Sequence, residues 1–258
     1  MNAPELYLSR EGGGRPLLML HGWAMHGGLF DGLSAVLADA AEVWRVDLPG
    51  HGFSRAEHLT QAESLLGALL PEDCVLLGWS LGGQIALRLA LAYPERVRAL
   101  ILVGTTPRFV NGGDWTAGVE PAVLQQFAAD LERDAAAALQ RFLALQVRGL
   151  AAVKAPLGQL RADLAARPAA RPLALAEGLA RLLDTDLRSA LGAVRQPALV
   201  LHGAADKLTP SAAGRWLAAH LPRARWVEIP HAAHAPFLSH AAETLAAVRG
   251  FLAQAEVR

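Results

Sequence analysis

One cysteine, Cys74, stands in the whole 258-residue chain. No intrachain disulfide can form, and a cysteine-based zinc framework is excluded. Cys74 opens the apolar run Cys74-Val-Leu-Leu77 and reads as a buried structural thiol rather than a reactive one. Net charge is also missing: 24 basic residues balance 24 acidic ones. No whole-molecule attraction to nucleic acid or to an anionic membrane follows, so any electrostatic preference must come from a local patch. No window approaches the ~18 uninterrupted apolar residues of a membrane span. The opening Met1-Asn-Ala-Pro-Glu-Leu6 lacks the basic stretch and apolar core of a secretory signal. A soluble cytoplasmic protein is the expectation. The nine histidines are scattered, with no H-E-x-x-H or similar spacing, so neither a metal nor a cofactor is expected. There is no fixed-period repeat, and no low-complexity tract beyond a bias towards alanine.

What is present is a chain that is 53% hydrophobic, with 24 glycines and 15 prolines. That is enough to bury a sizeable core and to punctuate it with many turns. Leu17-Leu-Met-Leu20, Val43-Trp-Arg-Val46, Val75-Leu-Leu77 and Leu100-Ile-Leu-Val103 read as buried parallel strands bounded by Gly, Pro or Asp. Helix-like spacing runs between them over Leu29–Leu37, Thr60–Leu70 and Leu81–Ala92. The alternation resumes with strands Ala198–Leu201 and Trp226–Ile229 and with helices from about Ser211 and Ala241. This predicts an α/β fold with a mostly parallel central sheet and helices on both faces. Between Pro107 and about Ala190 the strand signal disappears. Helical patterns occur instead near Pro121–Leu131, Arg133–Val147, Leu157–Ala166 and Leu173–Leu183, with Pro156, Pro168 and Pro172 as expected breaks. Ordinary crossover helices are the plainer account, but about eighty residues is far more than one crossover requires. The expected organisation is a core of residues 1–106 and 191–258 with a helical lid, 107–190, inserted over the strand ends.

Gly78-Trp-Ser80-Leu-Gly82 matches the G-x-S-x-G nucleophile elbow, and it has the strand before and helix after that the motif needs. The glycines allow a strained turn that lifts the Ser80 hydroxyl above the sheet. The helix that follows aims unpaired amides at developing negative charge. A nucleophilic serine needs a base and a group to hold that base, in the chain order Ser, Asp or Glu, His for this elbow. Asp206, in Leu201-His-Gly-Ala-Ala-Asp206, and His234, in Pro230-His-Ala-Ala-His234-Ala-Pro236, both lie just beyond predicted strands, where active sites of open α/β sheets are found. Asp186 is the rival acid, but it falls in a helical region of the insertion. His231 is the rival base, three residues from His234; the longer reach and the Ala-Pro that follows favour His234. His21-Gly-Trp23 follows the first core strand, so the oxyanion-hole amides fall to Trp23 and Leu81. His21 itself and the turn Asp47-Leu-Pro-Gly-His51-Gly52 read as architectural. Serine with a base and two amides suits acyl transfer through a tetrahedral intermediate. An aspartate at position 80 would have suggested alkyl-halide or epoxide opening.

Taken together, His21-Gly-Trp23, Gly78-Trp-Ser-Leu-Gly82, Leu89-Ala-Leu-Ala-Tyr-Pro94, Arg141-Phe-Leu-Ala-Leu-Gln146 and Ala232-Ala-His-Ala-Pro-Phe237 give the chain a specific resemblance. It resembles the pimeloyl-[acyl-carrier protein] methyl ester esterases of biotin synthesis, which belong to the α/β-hydrolase superfamily. The likeness runs over nearly the whole chain. The resemblance implies a carboxylesterase that removes the methyl ester from a pimeloyl chain held on acyl carrier protein. It also implies an acyl pocket lined by Trp23, Ser80, Leu81, Phe142, Leu143, Ala144, Leu145, Gln146 and His234.

A lid presenting basic residues to the acidic carrier is implied as well, with Arg141, Arg148, Lys154 and Arg161 as the contacts. From Arg141 to Arg171 six basic residues face Asp163 alone, although a solvated helix face is the plainer account of such a run. Outside Arg141–Gln146 the lid is Ala-rich and departs from the family, with Pro156 and Gly158 in the helix that should carry basic side chains. Two other functions fit the motifs: a broad short-chain carboxylesterase or carbon–carbon bond hydrolase with the same triad, and a ligand receptor on a hydrolase scaffold. The first shares all catalytic residues, so only lid and pocket separate it; the intact elbow, acid, base and amide pair argue against the second. A monomer is expected, with no nucleic-acid or membrane partner.

Overall fold

The computed structural model describes residues 5–148, 150 and 153–256. Seven strands form one sheet: β1 Leu8–Glu11, β2 Pro16–Leu20, β3 Glu42–Val46, β4 Cys74–Trp79, β5 Val97–Val103, β6 Ala198–Gly203 and β7 Ala224–Ile229. Their order is β1-β3-β2-β4-β5-β6-β7. Only β1 runs antiparallel to its neighbour; every other pairing is parallel.

Side chains alternate across a strand, and here the alternation sorts the apolar runs into two cores. Leu18, Leu20, Leu76, Leu100, Leu102 and Val200 face one. Leu17, Met19, Val75, Leu77, Ile101, Leu199 and Leu201 face the other. Helices α2 (Ala62–Leu69), α3 (Leu81–Ala92) and α8 (Ser211–His220) close the first face through Leu66, Ile85, Leu89 and Leu217. Helices α1 (Asp31–Leu37) and α9 (Ala241–Glu256) close the second through Leu33, Leu37, Val248 and Phe251. Cys74 is buried, and burial pushes its thiol up to about 12.

Four helices lie between β5 and β6: α4 Pro121–Arg133, α5 Ala135–Gln146, α6 Lys154–Ala165 and α7 Pro172–Asp184. Asp134 caps α5 by accepting from the Ala137 N–H at 3.0 Å, and Pro172 occupies the first position of α7, where its missing N–H costs nothing. Pro156 departs from expectation. It lies inside the first turn of α6 rather than at a break, since amides there have no intrahelical partner to lose. The segment enters and leaves through a pinned neck, where Leu187 N–H donates to Pro107 O at 2.9 Å and Arg108 pairs with Asp186 at 3.1 Å. Asp186 is thus not helical, as the sequence suggests, but sits past the end of α7 in a short antiparallel bridge to Arg108.

Candidate active site

β4 ends at Trp79, and Ser80 follows with φ 56° and ψ −118°, a left-handed backbone that a non-glycine residue adopts only under constraint. The constraint is visible. Ser80 N–H donates to Val103 O on β5 at 2.9 Å, and Thr105 Oγ1 donates to Ser80 O at 3.1 Å. A side chain at Gly78 would lie 2.5 Å from Gly82 O, so only glycine lets the strand cross so close to the helix it feeds. α3 starts at Leu81, whose N–H belongs to the first turn and has no intrahelical acceptor.

The loop after β2 lies against this elbow: a Cβ at Gly22 would come within 3.3 Å of Ser80 Cβ. His21 holds that loop in place. Its Nδ1–H donates to Gly22 O at 2.8 Å, while Nε2 accepts from Leu48 N–H at 2.9 Å. In a trans peptide the N–H points away from the C=O, so anchoring Gly22 O also aims the Trp23 N–H. Burial, with His51 nearby, holds the His21 ring well below the usual imidazole range, consistent with the single neutral tautomer these bonds require.

His234 sits in the loop after β7 and Asp206 in the loop after β6. His234 Nδ1 lies 2.7 Å from Asp206 Oδ2, and both side chains are buried. Asp206 Oδ1 accepts the N–H groups of Leu208 (2.8 Å) and Thr209 (2.9 Å), a local turn typical of aspartate. Burial opposes charge on Asp206, but the charges and hydrogen bonds of His234 and His202 outweigh it and hold the carboxyl well below the usual carboxylate range. The His234 backbone is tied to the elbow strand as well. Trp79 Nε1–H donates to His234 O at 2.9 Å, and the two rings lie 5.6 Å apart. On its far side, His234 N–H donates to Gln146 O at the end of α5 (3.2 Å).

The rivals are placed elsewhere. Asp186 binds Arg108 and Arg188. His231 is exposed and shapes the turn after β7 with φ 62°. Of the α5 segment, Leu143 and Gln146 are buried and Phe142 and Leu145 half-buried, whereas Ala144 is exposed; with 3.6 residues per turn it falls opposite the inward face. Phe142 stands edge-on to Trp23, centroids 4.8 Å apart, and Phe127 joins them at 5.4 Å. Trp23 Nε1–H donates to Leu175 O of α7 at 2.9 Å.

Among the basic residues, Arg141 pairs with Asp130 at 2.9 Å, while Arg148, Lys154 and Arg161 are exposed. Sequence reasoning missed Arg167, whose guanidinium bonds the buried carboxylate of Asp47 at 2.6 Å; the only available signal was its membership of the basic run. It missed His202 and Thr209, both buried against Asp206, for want of any motif to mark them.

The strand order, the elbow and the buried Asp–His pair define a hydrolase of the α/β class. A sequence profile of the alpha/beta hydrolase fold matches residues 15–241. An esterase structure from Exiguobacterium antarcticum superposes with a TM-score of 0.86 over 96% of this chain and 95% of its own; at 23% identity it speaks for the fold alone. Two curated relatives carry the name pimeloyl-[acyl-carrier protein] methyl ester esterase. The protein from Nitrosomonas europaea is 45% identical over 238 residues, 91% of this chain and 94% of its own length. That from Stenotrophomonas maltophilia is 43% identical over 252 residues, 96% of each. The chain belongs to the α/β-hydrolase family and, within it, to the group of pimeloyl-[acyl-carrier protein] methyl ester esterases. Among the described residues, no helix is long and apolar enough to cross a membrane.

Proposed function

We propose that the protein is a serine carboxylesterase that hydrolyses the methyl ester of pimeloyl-acyl carrier protein in biotin synthesis. The observation that carries the chemistry is the buried 2.7 Å Asp206–His234 contact, tied through Trp79 to the strand that ends in Ser80. In this reading Ser80 Oγ attacks the ester carbonyl and gives its proton to His234 Nε2. Asp206 holds Nδ1–H, fixing the tautomer and stabilising the imidazolium. The carbonyl oxygen becomes an oxyanion facing the N–H groups of Trp23 and Leu81. His234 then returns the proton to the departing methoxide, releasing methanol and leaving an acyl-enzyme. Water, deprotonated by the same imidazole, attacks that ester and frees the carboxylate.

Support for the substrate comes from the relatives' shared name and from the aromatic cluster of Trp23, Phe127 and Phe142. Beside it Leu81, Leu143, Leu145 and Gln146 would line the acyl pocket. Residues 1–106 and 191–258 act as the core and 107–190 as its lid. The exposed Arg148, Lys154 and Arg161, together with Arg141, would meet the acidic carrier. The same reading makes the protein a cytoplasmic monomer.

The test is direct. Ser80→Ala should lower ester turnover at least ~10⁴-fold with the thermal melt preserved. Mass spectrometry after treatment with a phosphonate should place the adduct on Ser80, and an adduct on any other residue overturns the assignment.

A further inference from the structure

The Asp206–His234 contact has a third member that the motifs do not mark. Thr209, three residues after the acid, is buried, and its hydroxyl stands among four polar atoms. Asp206 Oδ2 lies at 2.8 Å, Gly104 O at 3.0 Å, His234 Nδ1 at 3.1 Å and His202 Nε2 at 3.2 Å. A hydroxyl has one proton to give. Of the two oxygens in reach, the carboxylate is the nearer and the charged one, so the donation goes to Asp206 Oδ2. His202 backs this arrangement: its Nε2–H donates to Thr209 O at 2.8 Å. Gly104, with φ +53°, lets the chain after β5 press against His234, where a Cβ would lie 3.2 Å from Nδ1.

We propose that Thr209 is a positioning residue for the acid–base pair, its hydroxyl donating to the same Asp206 oxygen that receives His234 Nδ1–H. This rests on the reading of Ser80, His234 and Asp206 as the reacting triad. The carboxylate has four anchors: two backbone amides on Oδ1 and, on Oδ2, one imidazole and one hydroxyl. Without the hydroxyl, Oδ2 is free to swing away from the geometry that keeps the imidazole facing the elbow. Oδ2 then keeps His234 Nδ1 and the longer 3.5 Å contact to His202 Nε2, and the carboxylate's charge is shared among fewer donors. The titratable groups facing this cluster are Asp206 and His202. β4 presents the Trp79 ring, the loop after β5 presents Gly104, and α5 presents the Gln146 carbonyl, none of which titrates.

The experiment measures kcat/KM against pH for a small methyl ester, using wild type, Thr209→Val, Thr209→Ser and His234→Ala. Thr209→Val should lose about tenfold in kcat/KM and displace the acid limb of the profile. Thr209→Ser, which keeps the donor, should restore both. Should the valine variant not fold, Thr209→Ala takes its place. An acid limb unmoved in the valine or alanine variant, with only the melting temperature lowered, overturns the proposal and leaves Thr209 a packing residue. Failure of serine to restore the limb overturns it as well. An active His234→Ala is a different failure: it removes the triad itself.

Discussion

The sheet and the four helices laid across it are held together by different physics. Strands β2, β4, β5 and β6 are almost wholly buried on both faces, so their fixation is apolar and collective. By contrast α4 and α6 each bury a single residue, Leu124 and Leu160. What ties this segment to the sheet is a set of polar links of long sequence separation. Arg167 reaches Asp47, Trp23 reaches Leu175, Arg181 reaches Glu63, and Glu177 receives His58 and Thr60. α7 buries more, with Leu175, Leu179 and Leu182 in the core, and α5 adds Leu143. Such links form a polar seam and fix their partners by charge and direction rather than by apolar area.

The seam can be broken at its most buried point. Asp47 is fully enclosed and Arg167 nearly so, at 9% exposure, and Asp47 also receives Gly27 N–H and Phe53 N–H, each at 2.8 Å. Removing the cation strands a buried charge, which typically costs 3–5 kcal/mol. The two amides soften this, so Arg167→Met should cost about 3 kcal/mol in urea unfolding. Adding Asp47→Asn should recover part of the loss, because the pair and not each residue sets the cost. Arg171→Met is the contrast. Its partner Glu57 is 63% exposed, so the change should be under ~1 kcal/mol. Equal losses at the two arginines would mean that the buried link is not what holds the segment.

On the core side the corresponding weak point is a histidine. His51 is buried, its Nδ1–H donates to Pro49 O at 2.8 Å, and its Nε2 has no partner. Burial lowers it to about 4. The folded state therefore keeps this ring neutral while the unfolded chain takes up a proton below about pH 6.5. Stability from this group is complete above that value and is lost as pH falls towards 4, at ~1.4 kcal/mol per unit and up to ~3 kcal/mol in all. His51→Asn, which keeps a donor for Pro49 O, should flatten the decline of unfolding free energy between pH 6.5 and 4. A slope as steep as wild type would place the acid sensitivity elsewhere, with His21 the next group to test.

The same division explains what could be read from the sequence. Strands buried on both faces announce themselves as unbroken apolar runs, and β2, β4, β5 and β6 stand where those runs predict. β1, Leu-Ser-Arg-Glu, is an edge strand with one neighbour and a half-exposed face; no apolar run exists to mark it. The turn Arg188–Ala193 was also illegible, being short and mixed. At the site, the residues marked by a local grammar were legible as candidates: Ser80 in its elbow, Asp206 and His234 just past strand ends. Thr209 and Arg167 were not, because their meaning lies 105 and 120 positions away, at Gly104 and Asp47. Nothing near either in sequence announces those partners. The proline at 156 misled for the opposite reason, a strong local signal whose sense depends on where the helix begins.

The smallest effect expected is at the outer surface of the helical segment, and it refines the basic run. Of its six cations, Arg141, Arg167 and Arg171 are engaged with Asp130, Asp47 and Glu57. Arg148, Lys154 and Arg161 are exposed and, among the described residues, have no acidic partner within the molecule. Lys154 and Arg161 are seven residues apart on α6 and so share a face. Charge reversal of these three to glutamate should reduce kcat/KM for the carrier-bound methyl ester several-fold, chiefly through the association rate. A small free methyl ester, which needs no such encounter, should be hydrolysed at nearly the wild-type rate. Wild-type turnover of the carrier substrate should fall as salt rises, because exposed charges are screened beyond about 8 Å at physiological ionic strength, and the variant should have lost most of that salt dependence. Equal losses on both substrates would assign these side chains to the shape of the cover itself. No loss on either would make the exposed cations a solvated face, and the carrier would then have to dock through some other part of the surface.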